Sequence, residues 1–272
     1  MALTRRTALA RQAEPEQPSG PRRPPPAPRP PRNGRVVALV VGAVLALAVV
    51  VGTVVQGNER DRVANTVISA SSLAAESSYP VELDEGTGTV RVGREDAAVS
   101  IDIYEDFLCP VCGQFEKQYF TDIERELEAG HIKVEYHMLD LLNPLSNPPG
   151  YSQRAANVAL AVAAKDPRKF MDFHYSLLRT QPKEGSAGWT DGQLLDLAER
   201  LKVPVDDVTA LGDAGRYDDR IHANSTRAAA DKSLWQGTGS GKAFGTPTVV
   251  SGARIIPWQQ DTSWLRKLVG SD

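Results

Sequence analysis

The chain has two cysteines, Cys109 and Cys112, in a single Cys-Pro-Val-Cys run directly after the apolar-rich segment Val99-Ser100-Ile101-Asp102-Ile103-Tyr104. That places a cysteine pair where a strand hands over to a helix. Two cysteines are too few for a scaffold of structural bridges, and a four-cysteine zinc site lacks its ligands. Only a thiolate attacks or leaves in disulfide exchange, and free N–H groups and the helix dipole favour one at a helix N-terminus. Cys109 occupies that position, and Pro110 suits the first turn because its missing N–H goes unused there. One turn later, Cys112 is close enough to resolve a mixed disulfide formed at Cys109. The bland alternative is an inert short disulfide or two buried thiols.

The N-terminal part limits where such chemistry takes place. Residues 36–55 form a run of 20 residues without a charge, dominated by Val, Leu and Ala. At 1.5 Å per helical residue it spans about 30 Å of hydrocarbon, and it reads as a transmembrane signal anchor. No small-residue cleavage pattern stands out in Gln56-Gly57-Asn58-Glu59. Residues 1–35 carry eight arginines against Glu14 and Glu16, a net +6 that leaves −9 for the rest of the chain. Arginine-rich flanks stay in the cytoplasm, so the chain beyond residue 55 is expected outside it, in a space that permits disulfides. The Pro/Arg-rich tail, residues 1–35, is expected to be disordered and to lie against anionic lipid. A charge run beside a membrane span is a topology signal, so no nucleic-acid partner is expected.

Residues 56–78 read as a polar spacer and residues 79–272 as one globular domain. Short strands are expected at 87–93 and 98–104, followed by the helix carrying the cysteines at 107–129 and a strand at 131–137. A helical block follows at about 150–233, with helices at 152–165, 167–180 and 190–202 and a fourth between 205 and 233. Thr190-Asp191-Gly192-Gln193 fits a capping box. A hairpin turning at Ser251-Gly252 and a closing helix at 262–269 complete an α/β, thioredoxin-like fold split by a helical insertion.

Two runs, Asp106-Phe107-Leu108-Cys109-Pro110-Val111-Cys112 and Gly245-Thr246-Pro247-Thr248, stand in that order around the insertion. On these two runs the chain, from about residue 87 onward, resembles the DsbA family of thiol-disulfide oxidoreductases. The resemblance implies that Pro247 is cis and faces the cysteine pair, with the backbone of Thr246 left to pair with an extended substrate segment. Relatives place an acidic residue six positions before the first cysteine; here Ile103 stands there, which leaves Glu105 and Asp106 as candidates for proton relay or tuning. Strongly oxidising members carry Pro-His between the cysteines, whereas this chain has Pro110-Val111.

The expected activity is an extracytoplasmic oxidase that introduces disulfides into exported proteins with reduced cysteines. A quinone-linked membrane partner would reoxidise the pair, and no cofactor or metal is expected. A reductase or isomerase is the same-class alternative, and a tethered binding or chaperone module with a structural disulfide is the alternative from another class. The segment Gly237-Thr238-Gly239-Ser240-Gly241-Lys242 misses the phosphate-loop pattern at Gln236 and Ala243 and reads as a flexible approach to the Pro247 loop. His131, His137, His174 and His222 show no metal-ligand spacing and read as structural or surface residues.

Overall fold

A computed structural model describes residues 67–71, 77–212 and 215–270. The expected tail and membrane span lie outside these residues, and among the described residues no helix is long and apolar enough to cross a membrane.

Alternating burial builds the central strands. In β3 (Val99–Glu105), Ile101, Ile103 and Glu105 point into the core, and in β4 (Ile132–Met138) Ile132, Val134, Tyr136 and Met138 do the same. The two pair in parallel, with Ile103 beside Tyr136. A parallel pair needs a crossover, here α1 (Pro110–Glu128). Its Cys112, Phe115, Tyr119, Ile123 and Leu127 recur at three- and four-residue intervals and are all buried. Phe115 and Tyr119 meet Trp258 and Trp264 at centroid distances of 5.1 to 6.3 Å. Burying each such ring is worth roughly 1.5–3 kcal/mol, so this cluster fixes the tilt of the helix on the sheet.

The sheet has six strands in the order β1-β2-β4-β3-β5-β6. Its β2 (Thr89–Gly93) lies within the expected first strand, and β1 (Val81–Asp84), which was not expected, adds an antiparallel edge to it. Gly93, at φ +104, closes β2 where a Cβ would stand 2.7 Å from the carbonyl oxygen of Ile132. β5 (Thr248–Ser251) pairs antiparallel with β3, Thr248 opposite Tyr104, and turns through Gly252 into β6 (Arg254–Ile255). A short closing helix, α7 (Trp264–Val269), follows.

The helical insertion comprises α2 (Tyr151–Lys165), α3 (Phe170–Arg179), α4 (Asp191–Arg200), α5 (Val205–Gly212) and α6 (Asp218–Ala230). Two details differ from the expectation. The segment after Pro167 opens as a 3₁₀ turn before α3, and the fourth helix is two, α5 and α6. The capping box at α4 is present in full, with the Gln193 N–H on Thr190 Oγ1 and the Thr190 N–H on Gln193 Oε1. α3 packs on α1, where the rings of Phe120 and Tyr175 stack at 3.7 Å. Within the stretch read as a spacer, Ile68 is fully buried and the Ser71 N–H donates to Ser176 Oγ of α3 at 2.8 Å.

Candidate active site

The register of β3 and β5 brings the two motifs together. Because Thr248 lies opposite Tyr104, the residues just before β5 and those just after β3 emerge at the same end of the sheet. The Thr246–Pro247 peptide bond there is cis, and Cys109 Sγ–H donates to the Thr246 carbonyl at 3.3 Å across 137 residues of chain. The helix begins later than expected, at Pro110, with Cys109 as its N-cap in extended conformation and Pro110 in the first turn.

The cysteines are free thiols in unlike surroundings. Cys109 keeps 5% of its surface exposed, and Cys112 keeps none. A hydrogen bond from the Cys112 thiol is the main reason the Cys109 pKa falls from 9.0 to about 6, against the opposing effect of burial; Thr246 and the backbone N–H groups of Cys112 and Val111 assist. Burial pushes Cys112 well above its ordinary value, and the hydrogen bond to Cys109 and the charges of Cys109 and Glu105 push the same way. Cys109 is thus a thiolate near neutral pH, held above a neutral thiol. Val111 is half-buried and packs on the edge of the core.

The two acidic candidates differ in what they do. Asp106 is fully buried, and its carboxylate accepts the N–H of Leu108 and the N–H of Leu142, both at 2.8 Å, which shapes the turn leading to Cys109. Burial raises its pKa to about 7 despite those donors. Glu105 is wholly buried, pushed well above the usual carboxylate range first by burial and then by the charge of Cys109. It stands with Glu116 and His174 in a wholly buried cluster whose polar atoms lie within 4.8 Å of one another. His174 Nε2 is 2.8 Å from Glu105 Oε2, and burial holds the imidazole neutral by lowering its pKa. Burial likewise raises Glu116.

Sequence reading missed Glu116 and His174 as neighbours of the site. Glu116 had a signal: it is four residues after Cys112, on the buried face of the same helix. His174 had none, since its place depends on how α3 docks. Gln236 was also missed; its Nε2 donates to the carbonyls of Gly245 and Pro247, at 3.2 and 3.3 Å, and to Thr248 Oγ1 at 2.6 Å, tying down the Pro247 loop.

A second cluster, Asp102, Glu135 and His137, also offers metal-ligand atoms within 4.8 Å of one another. Its Glu135 and His137 line a groove of about 630 Å³ beside Tyr104 and Arg227, and no cysteine lines that groove. His137 is accounted for by Asp102 Oδ1, 2.9 Å from its Nε2, and by stacking on Tyr104.

A thioredoxin family model matches residues 85–270. Serine/threonine-protein kinase PknE of Mycobacterium tuberculosis is 32% identical over 194 residues, 70% of this chain and 33% of that protein. Disulfide bond formation protein D of Bacillus subtilis is 31% identical over 109 residues, 40% of this chain and 46% of that one. The chain therefore spans between a third and a half of the length of these curated relatives. Among solved structures, reduced DsbA of Mycobacterium tuberculosis superposes with a TM-score of 0.56 at 24% identity, over 67% of this chain and 93% of that one. MdbA of Corynebacterium diphtheriae, a thiol-disulfide oxidoreductase, gives 0.56 at 19% identity, over 73% and 95%. With its cysteine pair, cis-proline loop and helical insertion in this arrangement sharing the fold of those DsbA-like structures, the chain belongs to the thioredoxin family.

Proposed function

We propose that this chain is a membrane-anchored, extracytoplasmic oxidase that introduces disulfides into exported proteins through Cys109 and Cys112. The observation that carries the direction of the reaction is the split between the two thiols, Cys109 lowered to about 6 and Cys112 raised by burial. A low-pKa thiolate stabilises the reduced pair, and a dithiol that is stable when reduced is a stronger oxidant in its disulfide form.

In the forward reaction a substrate thiolate attacks Cys109 Sγ of the disulfide, forming the mixed disulfide while Cys112 leaves with the electron pair of the broken S–S bond. Cys112 takes up a proton, for which Glu105, whose charge acts on Cys112, and Asp106, next along the chain, are the candidate donors. A second substrate thiolate then attacks the substrate sulfur, and Cys109 leaves as its stabilised thiolate. Pro110 and Val111 shape the turn between the sulfurs. The loop at Thr246 and Pro247 offers an extended backbone edge beside the reacting sulfur. Two electrons remain on the pair and pass to a quinone-linked membrane partner. The arginine-rich residues 1–35 hold the tail at the anionic cytoplasmic surface, residues 36–55 cross the membrane, and residues 56–78 link the span to the catalytic domain.

Trapping tests the assignment. Cys112→Ala should accumulate mixed disulfides with exported proteins and Cys109→Ala should form none; the opposite pattern reverses the roles, and no trapping in either variant leaves a structural disulfide. A reporter fused after Asp272 should lie outside the cytoplasm, and a cytoplasmic reporter removes the anchored reading.

A further inference from the structure

Cys112 is followed by a glycine, among the poorest helix formers, in the first turns of α1. The reason lies in the insertion. A Cβ on Gly113 would come 2.1 Å from Gln181 Oε1, 2.8 Å from Gln181 Cδ and 2.8 Å from the carbonyl oxygen of Leu178. The carboxamide of Gln181, just beyond the end of α3, lies flat across the start of the active-site helix in the space that the missing side chain leaves.

Both amide hydrogens have a target there. Gln181 Nε2 donates to the Cys109 carbonyl at 2.8 Å and to the Phe107 carbonyl at 3.0 Å. The helix's own bond to the Cys109 carbonyl, from the Gly113 N–H, is longer at 3.3 Å. The residue before Gln181 is itself held, since Trp189 Nε1–H donates to the Thr180 carbonyl at 3.0 Å and Thr180 Oγ1–H to the Ser176 carbonyl at 2.6 Å. The turn from 106 to 109 is thereby gripped from two sides: Asp106 takes the N–H of Leu108, and Gln181 takes the carbonyls on either side of that residue.

We infer that Gln181 is a positioning residue for thiol-disulfide exchange, which brings the helical insertion into the reaction: its carboxamide fixes the backbone of Cys109 and so sets where the sulfur that exchanges with substrate stands. The inference rests on the reading of Cys109 as the cysteine that forms the mixed disulfide. The contacts that favour its thiolate, from the Cys112 thiol, Thr246 and the N–H groups of Val111 and Cys112, are directional. They weaken when the backbone that carries the sulfur turns away. Gly113 serves the same purpose by leaving room for the clamp.

The test compares Gln181→Met, which keeps the length and loses both donors, with Gly113→Ala, which forces the carboxamide aside while favouring the helix, and with the double variant. Each is made in the full chain. The reduced proteins are titrated by iodoacetamide alkylation rate against pH, with modification at Cys109 established by peptide mapping, and their thermal midpoints are recorded alongside. Each single variant should raise the apparent pKa of Cys109 by about one unit, roughly a tenfold loss of thiolate below the midpoint. The double variant should go no further than Gly113→Ala alone, because that Cβ already displaces the carboxamide as well as pressing on the Leu178 carbonyl. Gly113→Ala should show the shift whether or not it raises the thermal midpoint. A thermal midpoint that falls with the titration unmoved, or additive shifts in the double variant, overturns the role of Gln181. A wild-type chain without a thiolate at Cys109 near neutral pH overturns both this role and the assignment of Cys109.

Discussion

Removing the sulfur of Cys109 should change how the stability of the reduced protein depends on pH. In the folded chain this thiol ionises at about 6 instead of 9.0. At about 1.36 kcal/mol per pH unit, the gap corresponds to about 4 kcal/mol of stabilisation by the thiolate. Its folded value is depressed, so the contribution is complete above pH 9.0 and drains away as pH falls through about 6. Asp106 and Glu124 tilt the profile the other way. Burial raises both to about 7, so their contribution is present at low pH and is lost as pH rises toward that value. They are common to wild type and Cys109→Ala, and most of their effect cancels in the comparison; what remains is the part of Asp106 and Glu105 that responds to the charge of Cys109, which trims the difference. Denaturant unfolding of both reduced proteins at a series of pH values should therefore show wild type gaining on Cys109→Ala by about 4 kcal/mol between about pH 6 and 9. A constant difference across that window would refute the electrostatic account of the pair. Above the window the difference levels off, because Cys109 is then ionised in both the folded and the unfolded wild type.

Three further perturbations separate the parts of the site. Thr246→Val removes a group that lowers the Cys109 pKa, so alkylation of Cys109 at about pH 6 should slow several-fold, and an unchanged pH midpoint excludes the contact. Glu116→Gln removes a buried acid that stays protonated where its unfolded counterpart is ionised. Wild type is penalised by this from pH 4.5 upward, so the variant should gain relative stability at up to about 1.4 kcal/mol per pH unit on unfolding at rising pH, and parallel profiles would count against the buried acid. Thr190→Ala breaks the exposed capping box of α4 and should cost about 1 kcal/mol in denaturant unfolding with exchange rates unchanged; slowed exchange would tie that helix end to the site.

What could be read from the linear chain was whatever backbone geometry imprints at short range. The strands expected at 98–104 and 131–137, the helix carrying the cysteines and the Thr190 box each depend on neighbours a few residues away, and each is present, with the strands at 99–105 and 132–138 and the helix at 110–128. The two motifs that carry the family resemblance were legible for the same reason, as short contiguous strings. At its boundaries the reading failed where the local signal was short: β1 has only four residues, and the break between α5 and α6 falls in a helical pattern with no proline to mark it. The character of the site belongs to the tertiary structure. That one cysteine is a thiolate and its neighbour three residues on a neutral thiol follows first from the hydrogen bond that the Cys112 thiol gives Cys109 and from the burial of Cys112, with a smaller part from Thr246, which approaches across 137 residues. Glu105 meets His174 across 69 residues, and Gln181 reaches the Cys109 carbonyl across 72. Desolvation and hydrogen-bond direction depend on which surfaces meet when the helices dock on the sheet, and no local period encodes that meeting.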